Sequence, residues 1–249
     1  MPLRLLGIRD ELTNRPWRSP AWHWPGVPLV GGIDEQAGGT WLAVQPFVPR
    51  MACLLNGRGE FADPAYRRSR GDLPLRAATE GPGFLGELAA NHDQLRTYDP
   101  FHLICATTDS VTTLTWHGGD PQRERPQPRV LGPGTHLFTN AGHAYPVAPG
   151  DPESEPKALH FAEKFAAARP SADPALPVVE AWGDWLTLAA GDGLDPGDPA
   201  AIVVRKDLPD GRVYGTTSLT LVALGDDQVR YDFQATPGRL DGWVPVQVR

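Results

Sequence analysis

Two cysteines in 249 residues are too few for a disulfide framework or a zinc cage. Cys53 and Cys105 both lie in apolar, strand-like runs, where a free cysteine behaves as a small buried hydrophobe. Long apolar runs are also missing. None approaches the length of a membrane span, and the amino terminus lacks a basic segment leading through an apolar one to a small-residue cleavage site, so the expectation is a soluble, cytoplasmic protein. Positive charge is scarce, with a net charge of -7, and basic residues gather only modestly at Arg67, Arg68 and Arg70. A nucleic-acid backbone would find no broad basic stripe. No Walker phosphate loop, GxSxG elbow or HExxH is present. Gly81-Pro82-Gly83-Phe84-Leu85-Gly86 spells GxGxxG, but a polar, proline-containing segment precedes it where a dinucleotide fold needs a strand. It reads as a loop leading into a helix from Phe84 to Asn91. No metal and no cofactor is expected.

What the chain does have is enough apolar residue, 41%, against 21% charged, to bury one large core, and residues 1–249 read as one domain. Leu3, Leu5, Leu6 and Ile8 form a strand-like run that gives way to Arg9, Asp10 and Glu11, placing three ionisable groups at a strand end. Neighbours on a strand point to opposite faces, so Arg9 and Asp10 serve one pocket only if the chain turns or bulges there. Asp10 is expected to be held by Arg9 or by backbone amides and to be ionised at neutral pH, because a nearby cation favours the charged form. Gly31-Gly32 end a segment from Val27 to Val30, and Gly38-Gly39 precede another from Thr40 to Val44. The glycines bracket a loop tipped by Asp34 and Glu35, which reads equally as a flap over a pocket and as a solvated turn.

Met51 to Leu55 reads as a central strand reaching a turn at Asn56, and Thr135 to Thr139 as one stopping at Asn140. Phe101 to Thr107 and Val111 to His117 make a hairpin, and Gly118 to Pro133 a surface loop. Ser69-Arg70-Gly71-Asp72-Leu73 opens a short helix with Asp72 placed to cap it. Ala141 to Pro156 is a proline- and acid-rich loop. Helices are predicted from Lys157 to Arg169, with Leu159, Phe161 and Phe165 apolar, and from Val178 to Ala190. Strands return at Ala201 to Arg205, Arg212 to Leu224 and Gln228 to Gln234.

Taken alone, these residues offer an arginine beside two carboxylates and two strand-end asparagines. Asparagine amides can donate to a developing oxyanion, and an arginine–carboxylate pair can orient a nucleophile or bind a substrate carboxylate. A nucleophile is absent from the set. A structural ion pair with turn-forming asparagines explains the same residues.

Arg9-Asp10-Glu11, then Arg15-Pro16, Gly31-Gly32-Ile33-Asp34 and Gly38-Gly39-Thr40-Trp41-Leu42 resemble, in order and spacing, the signature of the NRDE family, also called the transport and Golgi organisation protein 2 family. That family resembles the N-terminal nucleophile hydrolases, which implies a four-layer αββα sandwich of two mainly antiparallel sheets. By resemblance, Arg9, Asp10, Asn56 and Asn140 match the catalytic-type residues, with Glu11, Asp34, Trp41 and Thr217 as ligand contacts. In the superfamily's bile-salt and penicillin acylase branch, an amino-terminal cysteine attacks an amide while its own α-amine acts as base.

Three departures qualify the resemblance. Ile8 stands where the family has asparagine, Thr217 stands where many members have arginine after Tyr-Gly-Thr, and the chain opens Met1-Pro2 rather than Met-Cys. The expectation is therefore a family domain lacking its first strand and nucleophile, with the gene product starting upstream. The resemblance implies a small-molecule binding or trafficking protein, haem being the cargo linked to the family. The alternative is an amidohydrolase-like enzyme acting on a non-peptide C–N bond.

Overall fold

The computed structural model describes residues 2–120, 125–146 and 155–248. The architecture is α+β, built on two mainly antiparallel sheets with flanking helices. Two compact units divide the chain, one of residues 2–16, 134–137, 143–146 and 155–248, the other of residues 17–120, 125–133 and 138–142.

The first unit begins with β1 (Leu3–Leu12). The second holds β2 (Trp17–Ala21), β3 (Val30–Asp34), β4 (Leu42–Gln45) and β5 (Arg50–Asn56), then α1 (Leu73–Glu80), α2 (Gly83–Ala90) and α3 (His92–Leu95), then β6 (Phe101–Thr107), β7 (Val111–Trp116) and β8 (Arg129–Leu131). A two-stranded hairpin follows, β9 (Leu137–Thr139) with β10 (Gly142–Tyr145). The first unit then resumes with α4 (Pro156–Ala167), α5 (Val178–Trp182), α6 (Asp184–Ala189), β11 (Arg205–Asp207), β12 (Val213–Leu224), β13 (Val229–Gln234) and β14 (Trp243–Pro245).

In the second unit the strands lie side by side in chain order from β2 to β8. Neighbouring strands are antiparallel throughout, with α1, α2 and α3 inserted between β5 and β6, and the order places consecutive apolar strands at the centre. Leu73, Ala77 and Ala78 of α1 and Phe84, Leu85 and Leu88 of α2 bury against Leu103, Cys105, Leu114 and Trp116. The helical approach is set by glycine. A Cβ on Gly39 would stand 2.3 Å from the Gly71 carbonyl carbon, so the loop before β4 and the turn before α1 touch backbone to backbone. Ser69 accepts from Gly71 N–H at 3.2 Å and caps that turn. Asp72 makes no cap bond; its carboxylate accepts instead from the Tyr98 hydroxyl at 2.9 Å.

In the first unit the strand order is β1-β12-β13-β14, with β11 also pairing β12. Leu6 and Ile8 of β1 pack among apolar residues of α4, α5 and α6. On β13, Arg230 and Asp232 are two residues apart and share one face. Both are buried, at 6% and 0% exposure. Asp232 Oδ2 accepts from Arg230 Nε at 2.5 Å and from the Trp182 indole N–H at 2.7 Å, while Arg230 also donates to the carbonyls of Leu176 and Asp173. The ion pair thus ties α5, through the carboxylate, and the loop before it, through the guanidinium, to the sheet.

The structure departs from the sequence expectation in several places. β1 runs on to Leu12, so Arg9, Asp10 and Glu11 lie within a strand rather than at its end, because β12 supplies partners that far. Gly31 and Gly32 are inside β3; a Cβ on Gly31 would meet the Leu42 carbonyl oxygen at 2.4 Å. β8 occupies part of the segment read as surface loop, whose residues 121–124 lie outside the described residues. Half of the proline-rich loop, residues 147–154, also lies outside them, and β10 occupies Gly142–Tyr145 of the segment read as loop, because it pairs with β9. The predicted helix over 178–190 breaks at Gly183, where φ is +50°. Phe161 is fully buried and Phe165 packs beside it, but Leu159 lies on the opposite side of the helix and faces solvent at 70% exposure. Residues 201–204 form no strand, and β11 begins at Arg205.

Removing Asp232 leaves a buried guanidinium without its counter-charge. Asp232→Ala is expected to cost about 3–5 kcal/mol in urea unfolding, and Arg230→Met with Asp232→Leu to cost less than that single change.

Candidate functional site

The predicted residues are divided between the two units. In the first unit, the β1–β12 ladder pairs Arg9 with Ser218 but Asp10 with Thr216, so Thr217 is an extra residue bulged out of β12. The bulge gives the two neighbours different partners. Arg9, 7% exposed, donates from Nη1 to Thr217 Oγ1 at 2.9 Å, and that hydroxyl donates back to the Arg9 carbonyl at 3.1 Å. The Thr216 hydroxyl donates to Asp10 Oδ1 at 2.7 Å and accepts from Val204 N–H at 2.9 Å. Arg9 and Thr217 are therefore brought together, and Asp10 is held by a threonine hydroxyl. The sequence reading missed that hydroxyl because Thr216 lies 206 residues away in the chain.

Burial raises the Asp10 pKa above its ordinary value, against the lowering effects of the Thr216 hydrogen bond and the Lys157 charge. This corrects the expected direction, because desolvation outweighs the hydrogen bond and the single cation. The Tyr214 hydroxyl is pushed up to about 12, by burial first and then by the charges of Asp10 and Glu11. Glu11 is spent locally, accepting from Leu12 N–H at 2.8 Å and pairing with Arg15 at 3.6 Å. Beside Arg9 in the ladder, the Ser218 hydroxyl is buried without a hydrogen-bond partner among the described residues.

In the second unit, Asp34 ends β3 and closes the following turn, its Oδ1 accepting from Gln36 N–H at 3.1 Å and Ala37 N–H at 2.9 Å. Trp41 lies edge-on to Trp17, centroids 6.0 Å apart, and covers Gly32, where a Cβ would meet its Cη2 at 2.3 Å. The glycine-rich loop thus has an aromatic lid over bare backbone. Asn56 is exposed at the end of β5, opposite Phe101. Asn140 is exposed in the turn between β9 and β10, and its carbonyl lies 3.4 Å from His102 Nε2. His102, not singled out by the sequence, is 1% exposed, with its pKa lowered by burial first.

Neither thiol is poised for attack. Burial pushes Cys53 up to about 12 and Cys105 up to about 11, and both are free. An open cavity of about 460 Å³, lined by Gly86, Ala89, His92, Arg125 and Gln127, contains none of the predicted site residues. Among the described residues its lining carries no carboxylate, whereas the β1–β12 bulge brings Arg9, Asp10 and two threonine hydroxyls together.

Because burial raises the folded-state pKa of Asp10, the folded state holds its proton more tightly than the unfolded chain. That contribution is fully present below the unfolded pKa and is lost as pH rises through the folded one. Asp10→Asn keeps an acceptor for Thr216 without the charge. It is expected to match or exceed the parent Tm at neutral pH, by up to about 2–4 °C, with the difference vanishing in acid. Calorimetry across pH 3–8 (about this range spans the carboxylate titration) checks it, and a large Tm loss at neutral pH would refute it.

No helix among the described residues is long and apolar enough to cross a membrane. The chain matches the family model described as Transport and Golgi organisation 2 over residues 1–181, a span that includes Arg9, Asp10, Asn56 and Asn140 but not Thr216 or Thr217. A search of curated proteins finds no match. With well over half of its 249 residues matched, the chain belongs to the Transport and Golgi organisation 2 family.

Proposed function

We propose that this protein binds and carries a small anionic molecule in the cytoplasm, with Arg9 as the anchoring cation. The observation that supports this reading is the pairing, on one bulged ladder, of a buried guanidinium with a buried serine hydroxyl that has no hydrogen-bond partner among the described residues. An unsatisfied buried hydroxyl costs about 1–3 kcal/mol, and a ligand carboxylate beside Arg9 would recover it while accepting from the guanidinium. Family membership makes haem, a dicarboxylate, the first ligand to test. Asp10, Asn56 and Asn140, with Glu11, Asp34, Trp41 and Thr217, enter this reading through the family resemblance, as do the single domain over 1–249 and the αββα sandwich.

The alternative is an amidohydrolase-like enzyme, and it needs a nucleophile. The elevated thiol pKa values of Cys53 and Cys105 argue that neither supplies one, which favours binding over covalent catalysis by these residues.

Absorbance titration of the purified chain with haem is expected to give saturable binding. Arg9→Gln should weaken it by about tenfold or more, the scale of one charge-assisted hydrogen bond. Binding unaffected by Arg9→Gln would remove the anchor from the proposal. Turnover of simple amides by the unmodified chain would favour the hydrolase.

A further inference from the structure

The hairpin of β9 and β10 carries a second cluster, unrelated to the bulge. His136 and His143 are seven residues apart in sequence, and the turn between them folds one ring onto the other. Their centroids lie 5.1 Å apart at an interplanar angle of 30°, and His136 Nδ1 is 3.0 Å from His143 Nε2. Both side chains are half-buried in the same compact unit. The turn is fixed by Ala141 N–H donating to Thr139 Oγ1 at 3.1 Å.

We propose that His136 and His143 form a two-imidazole site for a divalent first-row transition-metal ion such as zinc or copper. Imidazole suits these ions. Two nitrogens bound to one ion at about 2.0–2.1 Å, with an angle of about 90–110° between them, are themselves about 2.8–3.4 Å apart. The observed 3.0 Å falls within that range. Without metal, this separation is a hydrogen bond in which one ring donates N–H and the other accepts. Metal binding requires a lone pair on both facing nitrogens. The proton between them therefore moves to the far nitrogen of its own ring, His136 Nε2 or His143 Nδ1, each ring stays neutral, and no net proton is released. Among the described residues no group of three or more histidine, cysteine or carboxylate side chains gathers to hold a metal, so the remaining coordination positions fall to water or to a ligand the ion brings. Two-ligand binding of this kind is weak and open, suited to an exchangeable ion rather than a structural one.

The test is calorimetric titration of the full chain with zinc and with copper, alongside His136→Ala, His143→Ala and the control His160→Ala. His160 sits elsewhere in the first unit, bonded to Asp192 at 2.8 Å. One equivalent is expected to bind to the parent protein and to the control, with each hairpin variant weakened at least as much as loss of an outer-shell partner costs, about 10–100-fold. Equal binding by parent and hairpin variants, or no binding by the parent, would overturn the proposal. Should a hairpin variant fail to fold, imidazole NMR of the parent decides instead. Substoichiometric copper must broaden the His136 and His143 resonances first, and broadening that begins at other histidines refutes the site.

Discussion

The pairing of β1 with β12 is the constraint on which the candidate site depends. It joins residues 208 apart in sequence, and the bonds that define the site, Arg9 to Thr217 and Thr216 to Asp10, exist only because the ladder closes that distance. Closure entropy grows slowly with loop length, so a long connection costs little more than a short one, and a ten-residue strand supplies enough backbone hydrogen bonds and buried apolar surface to offset it. The bulge adds one residue to β12 and thereby assigns a separate hydroxyl to each of two neighbouring charged groups.

Burial of charge is a theme of the first unit. Arg230 and Asp232 compensate one another, and the carboxylate is further held by Trp182, so the desolvation of both ions is met by well-directed hydrogen bonds. Arg9 and Asp10 are treated differently. Each shares a hydrogen bond with a threonine hydroxyl that orients the group, and for Asp10 burial outweighs that bond and the Lys157 charge and raises the pKa.

In the second unit, glycine is explained by contact rather than by loop freedom. Gly31 and Gly32 sit in a strand because the Leu42 carbonyl and the Trp41 ring occupy the space a side chain would need. Asp34 is engaged in closing the turn beyond them, so its carboxylate has a structural duty whatever else it does. The family signature in this loop thus has a packing rationale that stands apart from chemistry.

The apolar runs and turn residues determined most strands, because the alternation and punctuation they rest on are local: β5, β6, β7, β12 and β13 fall where the sequence puts them. The order of Arg9-Asp10-Glu11 and the two glycine pairs determined the family, since that pattern is carried by identity and spacing alone. Tertiary structure decided what the pattern could not carry. The extension of β1 to Leu12, the break at Gly183 and the exposure of Leu159 follow from what lies across each element, which no local period encodes. The partners of Arg9 and Asp10, and the meeting of His136 with His143, were likewise settled by strand register and hairpin geometry. A hydrogen bond reads distance in space, and the sequence records only distance along the chain.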